Sequence, residues 1–436
     1  MLKKLILENW KSFRYAELPI DPLTVLIGTN ASGKSNALEA LEFLRRVAVG
    51  DVLDVALVGN SQWSPIRGSL DLATFQHEKQ FTLKILVQGD NGIDYSYSIT
   101  VETKPYVRLI EESIVMFPNT LPYPNEVEQL RLPLSNQPFE LFHVGHSLTA
   151  SNLEITKIFG IESKPSLDNS LAYIGWLSHI AQYGVFKGGE LTSSGDFEIL
   201  AEAVVAIYNA LVAIFSLNPD PFKMRSYSPI SHELEDNASN IAGVIAALSD
   251  EEKADVETTL STYVAHLPER DIHKVWAESV GRLKSDAMLY CEEFWILDEA
   301  PVLADARGMS DGTLRFLAIA TALLTRPEGS QLVIEEVDNG LHPSRAQLLL
   351  KMLKELGTKR KIDILVTTHN PALLNALGLK MVPFVVVAHR DAQTGESKLA
   401  PLDDIQHLPK LLASGPVGEL ATQGTLEKVL SHSNEA

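Results

Sequence analysis

Apolar and polar positions alternate through the first residues of the chain, and this period of two predicts a strand from Lys3 to Asn9. After a turn, the apolar run Leu23-Thr-Val-Leu-Ile27 predicts a second strand. A glycine-rich loop follows. Leu38, Leu41, Phe43 and Leu44 then recur at helical spacing and predict a helix from Lys34 to about Val47. Between Phe81 and Phe117 the period returns to two, with strands at Phe81 to Val87 and Ile93 to Val101. The Gly89-Asp-Asn-Gly92 sequence between them is a hairpin signal, because asparagine and glycine tolerate the positive φ of a tight turn. Residues 116 to 140 are rich in proline and asparagine and read as surface loops.

A helical middle is predicted next, including Asp196 to Leu217, Asn240 to Leu248 and Glu251 to His266. No heptad pattern persists through it, so no long coiled coil is expected. From Met288 strands and helices alternate. Strands are predicted at Met288 to Leu297, Gln331 to Glu335, Ile362 to Thr367 and near Pro383 to Ala388, with helices at Asp311 to Leu324 and Ser344 to Leu356. That succession implies a parallel sheet. The simplest architecture is one α/β nucleotide-binding domain split in sequence. Residues 1–117 and 288–436 form its halves, and 118–287 is a mainly helical insertion.

At 436 residues the chain exceeds one compact core, so two lobes are expected. Apolar residues at 45% and charged residues at 21% exclude a disordered chain. Cys291 is the one cysteine, which excludes a disulfide framework and fits a reducing compartment, the cytoplasm. The first residues lack the apolar core of a secretory signal. The longest apolar segment, Ile199 to Leu217, contains Glu202 and Asn209, whereas a membrane span needs about 20 nearly uninterrupted apolar residues. A buried or interface helix is expected there, and no membrane partner. The net charge of -19 opposes general attraction to nucleic acid, so any such contact must be local. Two basic clusters offer places for it: Lys3, Lys4, Lys11 and Arg14, and Lys354, Lys359, Arg360 and Lys361.

Gly28-Thr-Asn-Ala-Ser-Gly-Lys-Ser35 matches the phosphate-loop pattern in full, between an apolar strand and a helix as that pattern requires. Its glycines let backbone N–H groups close on phosphate oxygens at the positive end of the helix dipole. Lys34 would reach the β and γ phosphates, and the Ser35 hydroxyl would hold Mg²⁺.

Three later stretches narrow the chemistry. Gln331-Leu-Val-Ile-Glu-Glu336 puts two carboxylates at the end of a buried strand, with Glu335 suited to orient Mg²⁺ and Glu336 to polarise an attacking water. Met309-Ser-Asp-Gly-Thr313 opens a helix with Ser310 as N-cap and Asp311 in the first turn. The exposed N–H groups of Ser310, Asp311 and Gly312 can instead meet an anion, such as a γ-phosphate offered by another subunit. Asp363-Ile-Leu-Val-Thr-Thr-His-Asn-Pro371 closes a strand with His369, where a γ-phosphate sensor would sit.

These residues resemble the ATP-binding-cassette type of ATPase head of SMC, RecF and OLD-family proteins. The carriers are Gly28 to Asn36, Ser310-Asp-Gly-Thr313, Glu335-Glu336 with Asp338-Asn-Gly-Leu-His-Pro343, and Thr367-Thr-His-Asn-Pro371. They look most like small stand-alone bacterial predicted ATPases of the AAA type, whose opening is matched by Asn9-Trp-Lys-Ser-Phe13 and whose middle is matched by Asp236-Asn-Ala-Ser-Asn-Ile-Ala242. The resemblance implies a P-loop head with a mixed-sheet lobe and a parallel-sheet core. It implies ATP and Mg²⁺ as ligands, with Gly28, Asn30, Ala31, Ser32, Gly33, Lys34, Ser35 and Asn36 around the phosphates and Glu336, His369 and Lys34 as catalytic groups. It also implies a head-to-head dimer, each ATP lying between the loop of one subunit and Ser310 to Thr313 of the other. Lys11 and Arg14 join as nucleotide contacts. Glu335 stands where the wider class has aspartate, and Val337 where proline is common. For a Q-loop glutamine, Gln76, Gln80 and Gln182 are the candidates. After His369 the one acidic doublet is in Leu402-Asp-Asp-Ile405, so the nuclease domain of OLD proteins is not expected.

Two functional readings follow. In the first, an ATP hydrolase acts as a dimerising switch in DNA repair or anti-phage defence and controls a partner nuclease or toxin. In the second, suggested by Glu335, a nearly non-hydrolysing ATP-bound clamp sequesters an effector protein. Nucleic acid stays open as a further partner.

Overall fold

The computed structural model describes residues 1–61, 63–117, 139–144, 174, 195–268, 272–294, 300–405 and 408–432. In chain order its strands are β1 (Leu2–Trp10), β2 (Phe13–Pro19), β3 (Leu23–Ile27), β4 (Gln80–Gln88), β5 (Asp94–Glu102), β6 (Arg108–Phe117), β7 (Phe139–Val144) and β8 (Ile214–Leu217). They continue with β9 (Ser228–Pro229), β10 (Ile272–Val280), β11 (Asp286–Glu293) and β12 (Val302–Asp305). The last are β13 (Gln331–Ile334), β14 (Asp363–Thr368), β15 (Val385–Arg390) and β16 (Ser397–Pro401). The chain divides into two compact units.

The first unit takes Met1–Ile20, Asn30–Ile214 and Ala388–Leu399. Its sheet runs β2-β1-β4-β5-β6-β7, and every pair is antiparallel. Alternation decides which face is covered: Phe81, Leu83, Ile85 and Val87 of β4 are buried and the residues between them are not. The helix Lys34–Val49 contributes Phe43, whose ring lies 5.5 Å from Phe81 and 5.9 Å from Trp10, while Trp10 meets Phe81 edge-on at 4.8 Å. Burial of such side chains contributes about 1.5–3 kcal/mol each, and favourable ring pairs about 0.5–1.5 kcal/mol more. That triad anchors the helix on the sheet. The expected hairpin at Gly89–Gly92 joins β4 and β5, with Gly92 at φ 79. β2 lies where sequence suggested a turn, because Phe13, Ala16 and Leu18 are buried at uneven spacing that masks the period.

The second unit takes Asp21–Thr29, Phe215–Val387 and Ala400–Ala436. Its core strands are ordered β15-β3-β14-β13-β8, and β15, β3, β14 and β13 pair in parallel. These strands are buried along almost their whole length, as a parallel sheet covered on both faces requires. The helix Asp311–Thr325 buries Gly312, Thr313, Leu314 and then Phe316 to Leu323, and Ala346–Arg360 packs on the same core.

Two sequence expectations are corrected in the middle of the chain. The helix predicted to Leu217 spans Gly195–Val212, and its last apolar residues, Ile214-Phe-Ser-Leu217, form β8 instead. The strand predicted from Met288 is β11, which pairs antiparallel with β10, β12 and β9 and lies outside the parallel core. Its partner β10 was hidden by irregular alternation, with Ile272, Val275 and Ala277 buried among exposed polar residues. Of the loops expected over residues 116 to 140, the two ends are strand instead, β6 reaching Phe117 and β7 beginning at Phe139, and 118–138 lie outside the described residues. Among the described residues no helix is long and apolar enough to cross a membrane.

Asp363, the first residue of β14, is buried, and its carboxyl is pushed up to about 6, chiefly by burial and also by Asp21. The native state therefore favours the protonated form. The stability this lends is complete below about pH 4, the unfolded value, and is lost as pH rises through 6. Asp363→Asn is expected to melt a few degrees above wild type at pH 8 and at the wild-type temperature at pH 4, as followed by circular dichroism.

Candidate nucleotide site

The glycine-rich loop follows β3 and is strongly bent: Gly28 has φ 146, Ala31 φ 63 and Gly33 φ 111. Gly33 could carry no other side chain, because a Cβ there would lie 2.8 Å from Phe13 Cζ and 2.8 Å from Ser397 Oγ. The helix Lys34–Val49 begins directly after it. Its N-cap is Gly33, which has no side chain to cap with, and no acidic residue stands in its first turn, so the local charge at the positive end of the dipole suits an anion. Ser32 Oγ is buried without a partner, and among the described residues no backbone carbonyl accepts from the N–H groups of Asn30, Ala31, Ser32 or Gly33. Phosphate oxygens fit this donor set. Lys34 is itself buried at the first helical position.

Three adjacent strands of the second unit end together. Parallel pairing sets Ile27 of β3 beside Thr368 of β14, and Val366 of β14 beside Ile334 of β13. Gly28, His369 and the Glu335-Glu336 pair therefore leave the sheet at one edge. Glu336 adopts φ 50, a left-handed conformation that costs a non-glycine residue about 1–2 kcal/mol. Two bonds to β14 hold it there: Glu336 N–H donates to Thr367 Oγ1 at 2.8 Å, and Val337 N–H donates to the Thr367 carbonyl at 3.0 Å. Strain kept by surrounding bonds is a mark of functional sites. The Glu336 carboxylate faces His369 Nδ1 at 3.6 Å, and both side chains are about half exposed. His369 is fixed in turn, since Asn370 caps the following helix Pro371–Leu377 through Ala372 N–H and Asn370 N–H donates to Thr368 Oγ1.

Ser310 caps Asp311–Thr325 as the sequence predicts, accepting from Thr313 N–H at 3.1 Å and pairing with Thr313 Oγ1 at 2.8 Å. Two arginines brace this helix start. Arg345 Nη1 donates to Thr313 Oγ1 at 3.4 Å, and Arg225 Nη2 donates to the Met309 carbonyl at 2.8 Å and to Asp311 Oδ1 at 2.6 Å. Gly312 closes on the segment after Glu336, because a Cβ there would stand 2.7 Å from the Gly340 carbonyl oxygen. Sequence gives no role to Arg225 or Arg345, and nothing in their local pattern marks them.

The remaining candidates are placed as follows. Lys11 is buried in the left-handed region, paired with Glu39 and donating to the Arg67 carbonyl at 2.8 Å; burial pulls its pKa down against the pull of Glu39. Arg14 Nε lies 3.4 Å from Glu396. Asn36 donates to Ser12 Oγ at 2.7 Å. Gln76 sits at φ 46 and Gln80 begins β4, while Gln182 lies outside the described residues. Among the described residues no three His, Cys, Asp or Glu side chains gather as a metal site.

A glycine loop between a parallel strand and a helix, with carboxylate and histidine ends on the neighbouring strands, defines a P-loop nucleotide-binding fold. A family model described as "AAA domain, putative AbiEii toxin, Type IV TA system" matches residues 23–170 and 231–375, and the chain belongs to that family. No curated protein matches the chain. Among solved structures it is similar to an SMC head bound to the C-winged helix domain of ScpA, at 13% identity over 92% of this chain and 96% of that one, with a TM-score of 0.49. It is also similar to the SMC head domain from Thermotoga maritima, at 13% identity over 92% and 98% with a TM-score of 0.38. A third likeness is an Smc head with an extended coiled coil bound to the C-terminal domain of ScpA, derived from Pyrococcus furiosus, at 13% identity over 94% and 99% with a TM-score of 0.44.

Thr367 has no exposure, so its replacement by valine removes the acceptor for Glu336 N–H without changing shape. Thr367→Val is expected to destabilise the protein by about 1–3 kcal/mol, read as a lower urea midpoint at unchanged slope.

Proposed function

We propose that the chain is an ATP-driven switch that binds ATP with Mg²⁺, hydrolyses it to ADP and phosphate, and pairs head to head with a second copy around the nucleotide. The observation that carries this reading is the strained Glu336, held by Thr367 and facing His369 at the sheet edge from which the Gly28 loop also departs. In this reading Lys34 holds the β and γ phosphates, and Gly28, Asn30, Ala31, Ser32, Gly33 and Asn36 line them. Ser35 and Glu335 hold the metal, which when bound neutralises charge on the phosphate oxygens. Glu336 orients and polarises the attacking water, and His369 senses the γ-phosphate end. Ser310, Asp311 and Gly312 serve the nucleotide of the partner copy. Residues 118–287 form an insertion between the two halves of the head, 1–117 and 288–436.

The effector we infer is a toxin or nuclease, restrained or released according to nucleotide state, in anti-phage defence or DNA repair within the cytoplasm. The family description, which names a toxin and a type IV toxin–antitoxin system, supports an effector of this kind. Nucleic acid takes a lesser place. Lys3, Lys4, Lys11 and Arg14 are engaged with Asp94, Glu17, Glu39 and Glu396, which leaves little free positive charge in that cluster. Glu335 in place of aspartate favours the second reading, a slow clamp that keeps ATP and sequesters the effector, and the wild-type turnover rate decides between the two.

Glu336→Gln is expected to keep ATP affinity, lose about 100-fold or more in turnover, and accumulate as an ATP-linked dimer in light scattering. Lys34→Ala is expected to lose ATP binding. A Glu336→Gln protein that turns over like wild type and stays monomeric with ATP would overturn the switch.

A further inference from the structure

We infer that Arg390 is a positioning residue of the phosphate loop, acting from the β15–β16 hairpin on the carbonyl of Ala31. The inference rests on the nucleotide reading above. It is carried by a chain of contacts inside the first unit that the sequence motifs do not include.

Ala31 is the non-glycine residue of the loop in the left-handed region, at φ 63, and something must keep it there. Its carbonyl accepts from Arg390 Nε at 2.9 Å, across 359 positions of sequence, and Nη1 of the same guanidinium donates to the Gly395 carbonyl at 2.8 Å. A trans peptide points its C=O and the next N–H in opposite directions. Fixing the Ala31 carbonyl on the guanidinium therefore turns the Ser32 N–H to the other side, and among the described residues no backbone carbonyl receives it. Ser32 Oγ is likewise buried without a partner. One guanidinium thus orients a donor that a phosphate oxygen would complete.

The hairpin that carries Arg390 is stiff. Asp391 N–H donates to the Glu396 carbonyl at 2.8 Å, and Gly395 N–H to the Asp391 carbonyl at 2.9 Å. The Asp391 carboxylate accepts from the N–H groups of Gln393 and Thr394 at 2.9 Å each and from Lys398 Nζ at 2.9 Å, and these bonds, that of Thr394 foremost, hold its pKa well below the usual carboxylate range. A second point of support lies just beyond the turn, at Ser397: its N–H donates to the Ser12 carbonyl at 2.7 Å and its Oγ to Ser12 Oγ at 2.8 Å. Ser12 Oγ also accepts from the side chain of Asn36, on the loop's own helix, at 2.7 Å, and the Asn36 carbonyl accepts from Trp10 Nε1 at 2.7 Å. The loop is braced from outside at Ala31, and the helix that follows it at Asn36.

The test uses the full chain and titrates ATP and ADP by calorimetry into wild type, Lys34→Ala, Arg390→Met, Arg390→Ala and Arg390→Lys. Arg390→Met keeps the aliphatic stem and loses every donor. It is expected to bind both nucleotides about tenfold more weakly, with the loss falling on KM for ATP more than on kcat and with an unliganded melting temperature like that of wild type. Arg390→Lys, which can still reach one carbonyl, is expected to recover part of the affinity. Wild-type affinity in a folded Arg390→Met or Arg390→Ala protein, while Lys34→Ala has lost binding, overturns this assignment alone. Wild type without affinity for either nucleotide overturns the nucleotide reading and this inference with it. If neither Arg390→Met nor Arg390→Ala folds, Arg390 serves the stability of the unit and the assignment is also overturned.

Discussion

Parallel hydrogen bonding among β3, β14 and β13 is the constraint on which the candidate site depends. Antiparallel neighbours would send successive strand ends to opposite edges of the sheet. Parallel neighbours send them to one, and the register Ile27–Thr368 and Val366–Ile334 ends β3 and β14 side by side with β13 stopping two residues short of them. Each of those ends then continues into a segment with its own chemistry: a glycine loop, a histidine turn and a carboxylate turn. The sheet supplies no chemistry itself. It supplies a common origin from which short, polar segments need only a few residues to be aimed.

Aiming them costs backbone strain, which falls on identifiable residues and is answered by identifiable bonds. Gly28 and Gly33 take positive φ without penalty, whereas Ala31 and Glu336 do not. Glu336 is held by Thr367 of the adjacent strand, one register step from the histidine turn, so the carboxylate and the imidazole share one support. Ala31 is held by a guanidinium from the far end of the chain. A left-handed residue without such a bond would relax toward the ordinary regions of φ and ψ and take its donor or carboxylate with it.

The motif residues were legible in sequence because their chemistry is local. Gly28 to Ser35 is read from eight consecutive letters with a strand before and a helix after. Glu335, Glu336 and His369 stand at the ends of runs whose apolar character marks buried parallel strands. Ser310 is marked by the helix it caps. What escaped was of two kinds. β2 and β10 bury residues at uneven spacing, so no clean period of two appears, and Ile214 to Leu217 continues a helical run in composition while forming a strand. The supports escaped for a different reason: Arg225, Arg345 and Arg390 make bonds to Met309, Thr313 and Ala31 that no window of sequence contains.

This division has a physical origin. A residue that must present a specific group to a ligand is confined in both type and local setting, so its neighbourhood carries the pattern. A residue that must hold a carbonyl or a hydroxyl is confined only in reach, and any chain position that folds to the right place with a fork of donors can do it. Arginine recurs at Met309, Thr313 and Ala31 because one guanidinium can serve two acceptors at once, as Arg390 does with Ala31 and Gly395 and Arg225 with Met309 and Asp311. In this acidic chain these three arginines are engaged with the protein's own acceptors.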